Sequence, residues 1–222
     1  MIWQQNVRIV VMLTNLIEGL GFHSTKCSQY WPELVGNTRR FGGSSPDSQI
    51  EVQLYDCQEA PDYLVRKLDI SKGDSTRTLV HVQCTSWPDR SAPKNASTLL
   101  QLVEVVRMLA SQYNQQSGHQ MVEAAPWLIH CSAGVGRTGN VYNFVTFNSL
   151  LKYALSLILG TFIALDQLLR IYENPAKSEI DVFNVVYQLR KDRRYLVQTL
   201  AQYSFLYRCL YEHACKKNIH SE

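Results

Sequence analysis

The stretch Cys131-Ser132-Ala133-Gly134-Val135-Gly136-Arg137 sets five mostly small residues between a cysteine and an arginine. One turn of backbone over that spacing can curl its N–H groups around a tetrahedral anion, while the Arg137 guanidinium closes the cup with paired hydrogen bonds. Phosphate is the simplest anion of that shape. Cys131 stands at the base of the cup, where backbone dipoles, the start of a helix and the Arg137 charge favour thiolate over thiol and make it a nucleophile. The same spacing also arises by chance around an inert buried cysteine. The flanks favour the cup: Leu128, Ile129 and His130 read as the end of a buried strand, Gly134 and Gly136 suit a tight loop, and Thr138 suits a helix start.

The rest of the chain has to hold that loop. In 222 residues, 45% hydrophobic and 18% charged, there is apolar material for one α/β domain with a substantial core. A net charge of +3 is too small to argue for nucleic acid or a lipid surface as partner. Cys27, Cys57, Cys84, Cys131, Cys209 and Cys215 have no metal-ligand spacing, and the first residues lack the order of a secretory leader, so reduced thiols in a cytosolic setting are expected.

Residues 7–14 are apolar and β-branched, expected as a buried central strand. Residues 50–56, 63–71 and 76–85 alternate apolar and polar side chains between turn signals and are expected as antiparallel strands. Leu99, Leu100, Leu102, Val103, Val106, Met108 and Leu109 fall at helical spacing over 97–116, with Ser97 as the expected N-cap. Further helices are expected over 161–170 and 179–190, and residues 195–207 lead into a last one ending near Cys215. Residues 36–48 read as a polar loop and 216–222 as a polar tail.

From His130 to Gly139 the chain reads His-Cys-Ser-Ala-Gly-Val-Gly-Arg-Thr-Gly, which resembles the signature of the classical protein tyrosine phosphatases. Trp87-Pro88-Asp89 resembles that family's mobile acid loop, in which an apolar anchor and a stiff proline carry a carboxylate to the leaving group. Standing alone, Asp89 would read as an ordinary turn aspartate. Gln198-Thr199, followed by Gln202-Tyr203, Phe205 and Tyr207, resembles the family's glutamine loop, although each glutamine alone would read as a surface residue at a helix start. Glu18 and Lys26, ahead of Tyr30-Trp31-Pro32, resemble a loop whose glutamate buttresses the signature arginine; a solvated charged loop is the alternative.

The resemblance implies an α/β single domain with a twisted mixed β-sheet flanked by helices. It implies hydrolysis of phosphotyrosine in proteins through a cysteinyl-phosphate, with Cys131 as nucleophile and Asp89 as general acid. Arg137 and the loop formed by Ser132, Ala133, Gly134, Val135 and Gly136 would bind the phosphate. Thr138 would hydrogen-bond the departing thiolate, His130 would fix the loop, Gln198 would orient water, and Gln202 would support it. Trp87 and Pro88 would hinge the acid loop, with Glu18 and Lys26 in support. No metal or cofactor is implied, because backbone amides and Arg137 supply the positive field. The implied partners are phosphotyrosine-containing proteins, with no nucleic acid and no membrane insertion. The implied location is the cytoplasm, or the cytoplasmic part of a receptor-type protein. A phosphotyrosine-binding pseudophosphatase module and a non-functional gene-model fragment are the other readings.

Two departures bear on the domain. The family places helices, strands and a tyrosine-bearing recognition loop ahead of the strand at 7–14, so 1–215 is expected as a catalytic domain incomplete at its N-terminus. Residues 140–160 stand as an insertion between Gly139 and the helix at 161–170. The segment is apolar, but Asn140, Asn143, Asn148 and Lys152 interrupt it and argue against a membrane span. Gly139-Asn140 can be encoded G|GTAAT and Leu159-Gly160 TTAG|GA, the ends of a retained intron whose removal regenerates one glycine before Thr161. Left in place, it is expected to push the helix at 161–170 out of register and away from the core, and to leave the chain as written a weak or inactive phosphatase.

Overall fold

The computed structural model describes residues 1–18, 24–43, 45, 48–87, 93, 95–116, 126–131, 145–146, 157–176 and 179–219. Its architecture follows from β1 (Ile9–Met12), four apolar residues with every side chain buried. Side chains alternate across a strand, so Ile9 and Val11 enter one core cluster and Val10 and Met12 the other. A strand covered on both faces suits parallel neighbours. β1 has two: β7 (Ser75–Cys84) on one side and β8 (Trp127–His130) on the other.

Beyond β7 the sheet continues as an antiparallel meander through β6 (Tyr63–Lys72), β5 (Gln49–Glu59) and β4 (Thr38–Gly42). Beyond β8 lies the short antiparallel β9 (Val145–Thr146). A separate hairpin joins β2 (Ile17–Glu18) to β3 (Ser24–Thr25). The mixed α/β sheet expected from the resemblance is present. All four helices seen among the described residues, α1 (Ala96–Gln116), α2 (Leu157–Glu173), α3 (Val182–Asp192) and α4 (Leu200–Ile219), pack on one face. The other face is covered without helices, by Ile2 and Trp3 at the start of the chain and by Tyr30, Trp31 and Phe41.

Several boundaries differ from the sequence reading. The loop expected over 36–48 contains β4, whose largely exposed Thr38, Arg39 and Arg40 make a polar edge strand rather than irregular chain. α1 starts at Ala96, so Ser97 lies inside its first turn and not at the cap. α3 starts at Val182 rather than 179, because the Asp181 carboxylate accepts the Asn184 amide at 2.8 Å and caps the helix there. α4 runs four residues past Cys215, to Ile219.

The largest correction concerns α2. Its core residues have not moved outward: Phe162, Ile163, Ala164, Leu165, Leu168 and Leu169 are each at most 2% exposed. Six buried apolar side chains, each of the larger ones worth roughly 1.5–3 kcal/mol, hold the helix in place. The buried Asp166 carboxylate adds a tie, accepting Arg107 Nε of α1 at 2.7 Å and Arg170 Nε at 2.9 Å. The preceding segment is not helical throughout, since Val145–Thr146 forms the edge strand beside β8. Among the described residues no helix is long and apolar enough to cross a membrane.

Gly160 sets how closely α2 approaches the chain ahead of α4. A Cβ on Gly160 would lie 2.5 Å from Val197 N and 2.9 Å from Leu196 Cα, both backbone atoms that cannot swing aside. Gly160→Ala is therefore expected to destabilise the domain by about 1–3 kcal/mol, read as a lower urea midpoint at unchanged m-value.

Candidate active site

Cys131 follows β8 directly, and Trp87 stands three residues beyond the end of β7. Both strands run parallel to β1, and the register sets Gln83, Met12 and His130 side by side. Two strand spacings separate the outer pair, so the chains leaving β7 and β8 emerge at one level about 10 Å apart. In parallel sheets ligands bind at such carboxyl ends. The sheet thus brings the segments that lead to Trp87 and to Cys131 to the same edge.

Each segment is anchored. The Leu13 amide donates to His130 O at 2.8 Å, joining the chain after β1 to the residue before the cysteine. Asn15 Nδ2 donates to Thr85 O at 3.1 Å, and the Thr85 amide donates to Asp62 O at 2.9 Å. Trp87 is 2% exposed and packs in the helical-face core. Cys131 is half-buried and packs against that core. Pro88, Asp89, Ser132, Ala133, Gly134, Val135, Gly136, Arg137 and Thr138 lie outside the described residues.

The glutamine loop is built by capping. Thr199 Oγ1 accepts the Gln202 amide at 3.2 Å, while Gln202 Oε1 accepts the Thr199 amide at 3.3 Å and the Gln198 amide at 2.9 Å. This reciprocal pair starts α4. Gln202 is fully buried, whereas Gln198, the expected water-orienting residue, is exposed. Just before it, Tyr195 and Val197 hold φ of 72° and 54°, a left-handed conformation costly for a β-branched side chain. Arg190 holds the strained turn, donating from Nε to Leu196 O at 2.9 Å and from Nη2 to Val197 O at 2.5 Å. The sequence reading missed Arg190, whose only signal was a cation a few residues ahead of the glutamine.

In the supporting loop, Glu18 pairs with Ser24 through the backbone of the β2–β3 hairpin, and the Lys26 amide donates to Leu16 O at 2.7 Å. Tyr30 carries more weight. Its hydroxyl meets His130 Nε2 at 2.5 Å and His81 Nε2 at 2.9 Å, and His130 Nδ1 lies 3.2 Å from Cys131 O. Burial pulls the His130 imidazole down to about 4, against a weaker upward pull from the Cys131 carbonyl. Burial also lowers His81, helped by the Arg66 and His130 charges. Burial brings the Arg193 guanidinium down to about 10, with the Cys131 charge acting the other way, so this cation lies within electrostatic reach of the thiol.

A model of the protein-tyrosine phosphatase family matches residues 1–154 and 159–212, a match broken only at 155–158, inside the expected insertion. The chain belongs to the protein-tyrosine phosphatase family. It is 34% identical over 217 residues to Tyrosine-protein phosphatase 69D of Drosophila melanogaster, covering 95% of this chain and 12% of that protein. It is 32% identical over 216 residues to the Receptor-type tyrosine-protein phosphatase C of Homo sapiens, covering 96% of this chain and 13% of that protein. It is also 32% identical over 210 residues to Tyrosine-protein phosphatase non-receptor type 7 of Homo sapiens, covering 95% of this chain and 46% of that protein. The chain therefore spans less than half the length of these relatives.

Buried His81 and half-buried His130 give this phosphatase-family domain an acid sensitivity. A folded-state value near 4 for His130, below the ordinary 6.5, means that the unfolded chain takes up a proton first as pH falls. The contribution of neutral His130 is complete above about pH 6.5 and is lost progressively down to about pH 4, at most about 3 kcal/mol. His81 acts in the same direction. Urea midpoints measured from pH 7.5 down to 4.5 are expected to fall, and to fall less steeply in His130→Gln.

Proposed function

We propose that this chain is the catalytic part of a protein-tyrosine phosphatase, hydrolysing phosphotyrosine in proteins by two displacements at phosphorus. The Cys131 thiolate attacks phosphorus held by the loop N–H groups and a bidentate Arg137, forming the S–P bond as the P–O bond to the phenol breaks. Asp89 gives its proton to the departing phenolate. Water oriented by Gln198, with Gln202 in support, then attacks the phosphocysteine. Asp89 takes the water's proton, the S–P bond breaks, and inorganic phosphate leaves with the thiolate restored, aided by the Thr138 hydroxyl. The observation that carries this reading is the common level at which β7 and β8 end on either side of β1, from which the acid and nucleophile loops spring.

The substrates on this reading are phosphotyrosine-containing proteins. The setting is cytoplasmic, either in a protein of its own or in the cytoplasmic part of a receptor-type protein; the relatives carry both receptor and non-receptor names. The domain occupies 1–215, with 140–160 a retained intron within it. Removing 140–160 seats Gly139 where Gly160 now meets Leu196 and Val197, so the contact that admits only glycine is kept; an excision one residue longer would put Thr138 there.

Three measurements test the proposal. Cys131→Ser is expected to abolish turnover of an aryl phosphate while leaving phosphopeptide binding measurable, and substantial residual hydrolysis removes Cys131 from its role. Asp89→Ala is expected to slow substrates with poor leaving groups roughly 100- to 10,000-fold and activated ones far less; an equal loss across leaving groups refutes the acid assignment. Excision of 140–160 is expected to raise both kcat/KM and thermal midpoint, and no gain in either makes the segment a tolerated insertion.

A further inference from the structure

On the face of the sheet away from the helices, a chain of buried and half-buried polar groups runs from β6 to the cysteine. Arg66 on β6 pairs across the ladder with His81 on β7, and its Nη1 lies 3.3 Å from His81 Nδ1 and 2.9 Å from Gln83 Oε1. Gln83 Nε2 in turn donates to Thr14 O at 3.1 Å. From His81 Nε2 the chain passes through the Tyr30 hydroxyl to His130 Nε2, and from His130 Nδ1 to the carbonyl of Cys131. The Arg66 guanidinium also rests over the Trp31 ring, 4.6 Å from its centroid.

The two ends give this chain one direction. A guanidinium has only donors and a carbonyl only acceptors, so neither end can reverse. Arg66 must donate to His81 Nδ1, which leaves the His81 proton on Nε2 to donate to Tyr30. The Tyr30 proton then goes to His130 Nε2, which leaves the His130 proton on Nδ1 to donate to Cys131 O. A second proton on His81 would face the Arg66 donor, and one on His130 would leave the Tyr30 hydroxyl proton without an acceptor. Both imidazoles are therefore held neutral and in opposite tautomers. The other ionisable groups facing this chain are Cys27 beside Tyr30 and Cys57 beside Arg66.

We propose that Arg66 and His81 are positioning residues for Cys131, acting through Tyr30 and His130 to orient the Cys131 carbonyl from which the signature loop departs. The proposal rests on Cys131 being the nucleophile. The Leu13 amide fixes the carbonyl before Cys131 and the His130 ring fixes the one after it, so both peptide planes flanking the thiol are held. Cys131 itself packs towards the helical face, and His130 carries the restraint across the sheet to it.

The test reads the 222-residue chain by nitrogen-15 NMR of its histidine rings and by the pH dependence of Cys131 alkylation with iodoacetamide. The expected spectrum shows neutral His81 protonated at Nε2 and neutral His130 protonated at Nδ1, unchanged between about pH 6 and 8. His130 in the other tautomer, or titrating in that range, overturns the proposal without any variant having to fold. In Arg66→Met and His81→Met the alkylation midpoint is expected to rise by about one pH unit, because a displaced thiol loses the stabilising cup. His81→Gln offers an acceptor and a donor in the same order and is expected to rise less. An unmoved midpoint in variants that fold refutes the positioning role. Turnover retained in Cys131→Ser would instead refute the nucleophile assignment and leave the tautomers standing.

Discussion

Parallel pairing of β1 with β7 and β8 is the constraint on which the other features depend. Four apolar residues with no exposed side chain require a layer on each side, so the sheet has a helical face and a face closed by loops. The same pairing sends β7 and β8 out at one edge, level with each other. The distance between the ends of those two strands is therefore a property of the backbone ladder. Side chains need only adjust it.

The two faces serve the site differently. On the helical face, hydrophobic burial holds α2 and the turn before α4 in contact, with Gly160 admitting the backbone of Leu196 and Val197. That contact, with the Arg190 hydrogen bonds, stabilises two left-handed residues immediately before Gln198. The opposite face has, beside its own apolar cluster, a chain of polar groups satisfied in a fixed order from Arg66 to the Cys131 carbonyl. Such networks are costly unless complete, and complete ones are rigid. The half-buried thiol sits where the two kinds of support meet.

The core around α2 does not depend on the segment ahead of it. α2 keeps its buried residues although twenty-one residues separate Gly139 from Thr161. The reason is that its position is determined by side chains facing the sheet and by the Arg107–Asp166 tie, not by the path of the chain entering it. A register argument along one continuous helix fails because Val145–Thr146 pairs with β8 instead.

Local spacing made much of this protein legible from its residues alone. Most of the strand and helix order, and the helix start near Gln198 and Gln202, depend on groups within a few residues of each other. Their chemistry is set by covalent reach. Contacts between distant residues were decided only in the folded chain. Tyr30 meets residues 51 and 100 positions away, and Arg66 meets His81 across a strand ladder. Nothing in the local pattern distinguishes Arg66 and His81 from ordinary strand positions. The edge strand β4 was hidden for the same reason, since a polar exposed strand is defined by its partner and not by its own hydropathy. The requirement for glycine at 160 arises from a backbone more than thirty residues later, an approach that only close packing of α2 creates.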